Sequence, residues 1–271
     1  MSTTFLSGKS VRMERLSRPR DGKYLLIPLD HSVSDGPIAS AQGFDQLVHA
    51  VCAAGADGVV VHKGRARTIS PRSLAGRALV VQLSASTAYA PDSNAKTLVG
   101  DVEEAVRLGA DAVSVHINIG SDTETTQLHD LGTVAAACDN WGVPLLAMMY
   151  PRGPRIADPT MPELVSHVVA VATDLGVDIV KTVLTTPPQR MAEIVASTPL
   201  PVIVAGGASS TGSVTGFARS AMAAGCGGLA MGRRVFSDAD PQGVVRALTA
   251  IVHEPASTPA PTHDTEMAGV S

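Results

Sequence analysis

Apolar and polar positions along the chain follow a repeated pattern: an alanine-rich stretch with helical spacing, a glycine stop, then a short β-branched run ending in glycine or a polar residue. "AAGAD" (53–57) precedes "GVVVHKG", "RLGAD" (107–111) precedes "AVSVHINIG", "DLGVD" (174–178) precedes "IVKT", and "AAGCGG" (223–228) precedes "LAMGR". Glycine directly after a helix supplies a left-handed cap at little steric cost. The runs "YLLIPLD" (24–30), "ALVVQLS" (78–84), "VPLLAMMY" (143–150) and "PVIVAGG" (201–207) bring the strand candidates to eight. Helices are predicted over 41–54, 101–108, 123–140, 160–175, 213–224 and 240–253, and the segment after the third strand is irregular. Strands that alternate with helices imply parallel pairing through right-handed crossovers. Eight such units favour an α/β fold closed as a single-domain (β/α)8 barrel over an open doubly wound sheet. No GxGxxG follows the first strand, so the usual evidence for the open dinucleotide-binding alternative is lacking.

The chain's 271 residues suit this division, since barrels of about 250 residues commonly fold as one unit. Residues 23–254 hold the barrel, 1–22 form an N-terminal extension, and 255–271, rich in Pro, Ala, Ser and Thr, read as a flexible tail. Hydrophobic residues make up 45% but aromatics only 3%, so the core must be built from Ala, Val, Leu and Ile, and a base-stacking surface is not expected. A net charge of -4 provides no field for nucleic acid, although a local cationic pocket for one phosphate is compatible with it. The N-terminus lacks the apolar core of a signal peptide, and no run of eighteen apolar residues suggests a membrane span. Cys52, Cys138 and Cys226 follow neither a disulfide nor a metal-ligand pattern. A cytoplasmic location is the expectation.

Barrel enzymes carry their chemistry at the C-terminal ends of the strands. Asp30 and His31 end the first strand, His62 and Lys63 the second, His116 and Asn118 the fourth, Tyr150 and Arg152 the fifth, and Lys181 lies in the sixth. Gly206-Gly207 and Gly232-Arg233 follow the seventh and eighth, where barrels often bind phosphate. Their glycines would let backbone amides approach an anion, and Arg233 would add charge-assisted hydrogen bonds. An amine within the apolar run "VDIVKTVL" (177–184) is unusual. Desolvation favours the neutral amine, which can attack a carbonyl and form a Schiff base; the alternative is a structural lysine reaching the rim or paired with a carboxylate. Asp30 and Tyr150 are suitable acid–base types, yet Asp30 could equally cap its loop and Tyr150 be a barrel aromatic. Ser114, His116 and Asn118 share one face of their strand, and with His62 and Lys63 they read as supporting hydrogen bonds. His31, His62 and His116 are too dispersed to specify zinc, so no metal is expected.

These motifs, in this order, resemble the DhnA-type class I aldolases over about residues 5–254. The likeness is carried by "PLDHSVSDGPI" (28–38), "VVVHKG" (59–64), "EEAVRLGADAVSVHINIGSD" (103–122), "PLLAMMYPRG" (144–153), "DIVKT" (178–182), "VIVAGG" (202–207) and "AMGRRVF" (230–236). The resemblance implies a TIM barrel in which Lys181 forms the Schiff base, Asp30 accepts a proton and Tyr150 donates one. It places substrate contacts on Asp30, His31, Ser32, Val33 and Ser34, on Tyr150, Pro151 and Arg152, and on Gly206, Gly207, Gly232 and Arg233; apart from the resemblance, Arg152 is a candidate for an acceptor's carboxylate.

The implied partners are a sugar-phosphate donor and an aldehyde acceptor, with no cofactor, nucleic acid or membrane, in a homo-oligomer of a family whose rings reach decamers. Ser32 stands where many relatives have glycine, and Leu184 where an aromatic is common. "QLSASTAYAP" (82–91) and the "LDHS" spelling are most similar to the branch that joins dihydroxyacetone phosphate to L-aspartate 4-semialdehyde in making a 3-amino-4-hydroxybenzoate precursor. The sister activities are a heptulosonate synthase using a deoxyhexodiulose phosphate donor and fructose-bisphosphate aldolase; a catalytically silent sugar-phosphate-binding barrel is the alternative from another class.

Overall fold

In the computed structural model, which describes residues 7–17, 21–206 and 212–254, the eight apolar runs become eight parallel strands. They are β1 (Tyr24–Pro28), β2 (Gly58–His62), β3 (Ala78–Gln82), β4 (Ala112–Ile119), β5 (Leu145–Pro151), β6 (Ile179–Thr182), β7 (Val202–Ala205) and β8 (Gly228–Ala230). They pair in sequence order and close, with β8 meeting β1 at Tyr24–Gly228, Leu25–Leu229 and Leu26–Ala230. The principal helices are α1 (Gly8–Leu16), α2 (Ala41–Ala53), α3 (Val102–Arg107), α4 (Glu124–Trp141), α5 (Pro162–Asp174), α6 (Met191–Ala196), α7 (Val214–Ala223) and α8 (Pro241–Val252). The β2–β3 crossover holds only a one-turn helix, Lys63–Ala66. The irregular segment after β3 contains a small antiparallel hairpin pairing Ser84–Ala85 with Thr97–Leu98. Gly207 and residues 255–271 lie outside the described residues. Among those described, no helix is long and apolar enough to cross a membrane.

The pleat divides the buried residues into two cores. Odd-numbered positions of β4, Val113, Val115 and Ile117, pack outward with Leu25, Val59, Val81, Leu145 and the helices. Inside the barrel, Tyr24, Leu26, Val60, Val80, Leu146, Ile179, Ile203 and Ala230 form a separate cluster. Leu16 of α1, only 1% exposed, joins this inner cluster and closes the N-terminal end of the barrel. Helix α1 starts with a capping box between Ser7 and Ser10.

The recurring aspartates fasten that same end. The Asp57 carboxylate accepts from Leu25 N–H at 2.7 Å, and its own N–H donates to the Leu25 carbonyl at 2.9 Å. Asp111 does the same with Leu79 (3.1 and 2.8 Å), and Asp178 with Leu145 (2.8 and 3.0 Å). Each aspartate therefore clasps the strand it begins to the strand before it: β2 to β1, β4 to β3, and β6 to β5. Gly227 holds the corresponding place before β8. It retains the backbone half, donating to the Val202 carbonyl at 2.8 Å, and lacks the carboxylate half. Lys9 of α1 adds an ion pair to Asp178 at 3.0 Å.

Replacing Asp178 with alanine leaves the buried Leu145 N–H without its acceptor, a loss of about 1–3 kcal/mol. Urea denaturation of Asp178→Ala should show a destabilisation of about that size, and Asp178→Asn, which keeps an acceptor oxygen, a smaller one. Since the clasp is remote from the strand C-terminal ends, kcat of the folded variant should stay near wild type.

Candidate active site

At the C-terminal end of the barrel the inward pleat positions turn polar and surround a cavity of about 430 Å³. The cavity meets Asp30, His31, Val33 and Ser34 after β1, His62 at the end of β2, His116 on β4, Tyr150 and Arg152 on and after β5, Lys181 on β6, Gly206 after β7, and Gly232 and Arg233 after β8. Most of the residues singled out in the sequence thus meet at one place. Ser32 and Pro151 do not line it: Ser32 opens the one-turn helix Ser32–Asp35, and Pro151 is buried in the strand. Lys63 points away, its ammonium 2.8 Å from Glu104. Asn118 is fully buried and acts through its neighbours, accepting from His116 Nε2 at 3.0 Å when that nitrogen carries the proton.

Lys181 is 6% exposed. Its Nζ finds only the Met148 thioether, at 3.7 Å, and among the described residues no carboxylate forms an ion pair with it. The structural-lysine alternative required such a pair or escape to the rim, and neither is present. The pleat explains the placement: Lys181 lies opposite Met148 and Ile203 of the flanking strands and follows Ile179 on the inward face.

Asp30 lines the same cavity and feels the charge of Lys181. Burial raises its pKa, but His31 beside it and the fields of Lys181 and His62 prevail and hold it down at about 2. His31 Nδ1 lies 3.4 Å from the carboxylate without hydrogen-bond geometry, and that nitrogen is buried with no hydrogen-bond partner. Burial lowers the pKa of His62 despite the opposing field of Asp30. Burial, then Lys96 and Arg152, keep His116 well below the ordinary histidine range, so its ring is neutral at pH 7. Tyr150 is buried beneath Arg152, whose guanidinium stacks 4.7 Å above the phenol ring, and His116 meets the same ring edge-on at 5.1 Å.

The glycines after β7 and β8 are dictated by close approach. A Cβ on Gly206 would fall 2.0 Å from Met231 Sδ, and one on Gly232 would fall 2.5 Å from His31 Cε1 and 2.8 Å from the Pro28 carbonyl. The Gly206 N–H is engaged by the Ala230 carbonyl at 3.1 Å, so it is not a free donor to an anion as the glycine pattern suggested. The N–H groups of Gly232 and Arg233 have no protein acceptor among the described residues.

Sequence reasoning missed Gln82, Ser84 and Lys96, all in the cavity wall. Ser114 Oγ donates to Gln82 Oε1, Gln82 Nε2 donates to the Ser84 carbonyl at 3.1 Å, and Ser84 Oγ accepts from His116 N–H at 2.7 Å. Gln82 had a signal, since it is in phase with inward Ala78 and Val80. Lys96 had none, because it lies in the segment without periodicity. Among the described residues no three His, Cys, Asp or Glu side chains gather in a way that would hold a metal ion.

The family model described as DeoC/LacD family aldolase matches residues 24–238. The chain is 47% identical over 247 residues, 90% of each chain, to the 2-amino-4,5-dihydroxy-6-oxo-7-(phosphonooxy)heptanoate synthase of Streptomyces griseus. The chain belongs to the DeoC/LacD aldolase family. This aldolase is also 42% identical, over 92% of each chain, to 2-amino-3,7-dideoxy-D-threo-hept-6-ulosonate synthase 1 of Archaeoglobus fulgidus. Among solved structures it is similar to an archaeal fructose-1,6-bisphosphate aldolase whose catalytic lysine is covalently bound to the carbinolamine intermediate. The TM-score is 0.81 at 28% identity, covering 90% of this chain and 98% of that one. The protein is an enzyme, a class I aldolase and so a carbon–carbon lyase.

A carboxyl group held at about 2 when folded, against about 3.9 when unfolded, adds stability that is present above pH 4 and is lost as pH falls toward 2. The shift corresponds to about 2–3 kcal/mol. Asp30→Asn removes it, so the part of the wild-type-minus-variant stability difference that depends on pH should shrink between pH 5 and pH 3 in denaturant titrations. A difference that stays constant would refute the assigned charge state.

Proposed function

We propose that the protein joins dihydroxyacetone phosphate to L-aspartate 4-semialdehyde, giving 2-amino-4,5-dihydroxy-6-oxo-7-(phosphonooxy)heptanoate, a precursor of 3-amino-4-hydroxybenzoate. The product's connectivity supports this pair of substrates. Opening its C4–C5 bond by retro-aldol chemistry leaves dihydroxyacetone phosphate from C5–C7 and the four-carbon amino-acid aldehyde from C1–C4. The observation that carries the mechanism is Lys181, an amine buried at the mouth with no carboxylate partner among the described residues.

In this reading the neutral Lys181 amine adds to the donor ketone, and loss of water gives an iminium ion. Removal of a proton from the adjacent hydroxymethyl carbon gives an enamine, which attacks the aldehyde carbon and forms the new C–C bond. Tyr150 protonates the resulting alkoxide, and hydrolysis of the second iminium frees Lys181. Asp30, ionised above about pH 2, is the proton acceptor and the counter-charge for each iminium. A cation formed where water is scarce needs such an anion close by. The amides of Gly232 and Arg233, with the Arg233 guanidinium, hold the donor phosphate, and His31, Val33 and Ser34 shape the wall beside it. His62 and His116 act as neutral members of the polar wall. The route needs no metal or cofactor, and we place the enzyme in the cytoplasm as a homo-oligomer.

Borohydride reduction of the protein with dihydroxyacetone phosphate, followed by peptide mass spectrometry, should find one reduced adduct on Lys181, absent in Lys181→Met. Tyr150→Phe should still form the adduct while losing about 10²–10⁴-fold in kcat. Donor binding without an adduct would overturn the Schiff-base assignment for this donor and favour the deoxyhexodiulose phosphate or a silent sugar-phosphate-binding barrel.

A further inference from the structure

The cavity holds more cationic chemistry than one phosphate uses. Gly232 and Arg233 follow β8, whereas Lys96 and Arg152 flank β4, one on the excursion after β3 and the other just after β5. In a closed ring of eight strands β4 lies across from β8, so the two groups of donors occupy opposite sides of the mouth. Among the described residues neither Lys96 nor Arg152 forms an ion pair with a carboxylate. Arg152 rests on the Tyr150 ring at 4.7 Å, and Lys96 donates to the Ser86 hydroxyl. Asp30 and Asp35 line the same cavity, but neither is within ion-pair distance of these two cations, which leaves both able to receive a bound anion.

The site is also built rather than incidental. The Asn94 carbonyl, two residues before Lys96, accepts from Asn118 Nδ2 and from Gln127 Nε2, both at 2.9 Å, and Gln127 is itself 1% exposed. Ser86 Oγ donates to the Ser93 carbonyl at 2.7 Å and so ties the two arms of the excursion together. The Ala88 N–H, donating to the Ser34 carbonyl at 3.2 Å, fastens the same excursion to the loop after β1. Burial and then the nearby Arg152 charge lower the pKa of Lys96, with Asp30, Asp35 and Asp92 opposing them, consistent with two cations held close together for a third party.

We propose that Lys96 and Arg152 form a carboxylate subsite that binds the acceptor aldehyde's α-carboxylate and so selects amino-acid semialdehydes over neutral aldehydes. This deepens the functional reading above and rests on it. The donor's phosphate is one carbon from the ketone that Lys181 attacks, so it must stay on the β8 side. The acceptor's carboxylate ends the other arm of a seven-carbon product, and only an anion holder on the far side of Lys181 can meet it while the aldehyde reaches the enamine. Lys96 thereby acts as a specificity-determining residue, and Asn94, Asn118 and Gln127 as its positioning residues.

The test uses dihydroxyacetone phosphate as donor and two acceptors that differ only in the carboxylate, L-aspartate 4-semialdehyde and 3-aminopropanal, with wild type, Lys96→Met and Lys96→Arg. The expected result is a wild-type kcat/KM at least about tenfold higher for the carboxylate-bearing aldehyde, since hydrogen bonds to charged groups are among the strongest single contacts. Lys96→Met should abolish that preference through KM, Lys96→Arg should largely restore it, and neither should change borohydride trapping of the donor on Lys181. A preference that survives in Lys96→Met, or a parallel loss for both acceptors, overturns the subsite and leaves the functional reading standing. No product from wild type with the semialdehyde overturns that reading, and the subsite with it.

Discussion

Everything in this molecule depends on the exclusion of water from a closed barrel. With eight strands the interior is just wide enough for side chains to fill, and every inward position that cannot satisfy a polar group must be apolar. Tyr24, Leu26, Val80, Leu146 and Ile203 meet that condition in the lower part of the barrel. Only near the strand C-terminal ends, where the cavity opens, can Lys181, His62, Gln82 and His116 occupy the same inward phase. The amine is thus brought to the boundary between a dry interior and an open mouth. An amine there keeps access to the cavity while its surroundings remain low in dielectric.

Electrostatics then sort the groups that share the mouth. Asp30 stays anionic because His31 beside it and the fields of Lys181 and His62 outweigh its burial, and His116 stays neutral because burial and the fields of Lys96 and Arg152 act in the same direction. One field therefore has opposite consequences for a carboxyl group and an imidazole. In a protein of net charge -4, the cavity runs against the average: Lys96, Arg152, Lys181 and Arg233 line it with only Asp30 and Asp35 as carboxylates. An anionic substrate is attracted to the pocket and not to the surface as a whole.

How much of this could be read in advance varied with the local code. Glycine stops and β-branched runs located all eight strands to within a few residues, because helix caps and strand pleats impose strict spacing. Alternation in β4 told Ser114, His116 and Asn118 from Val113, Val115 and Ile117. The same rule reaches Gln82, whose phase with Val80 puts it inside. Lys63, read as a supporting residue beside His62, makes its hydrogen bond outside the cavity, because a single step in phase turns a side chain from the cavity toward Glu104. Lys96 could not be found, since its place is set by hydrogen bonds from Asn118 and Gln127 across the fold and by no repeat. The Gly206 amide shows the converse limit: composition announces a flexible turn but not whether its N–H is already bound.

The carboxylate clasps at the opposite end give this architecture a capacity for change. Asp57, Asp111 and Asp178 fasten the strands in pairs at the end away from the cavity, and α1 seals that end through Leu16. Binding groups at the mouth contribute little to these fastenings. A lineage can therefore exchange residues around the mouth while retaining both Lys181 and a folded barrel. On such a frame, substrate range diversifies by rewriting loops one at a time, and the inherited carbon–carbon chemistry persists through each intermediate sequence.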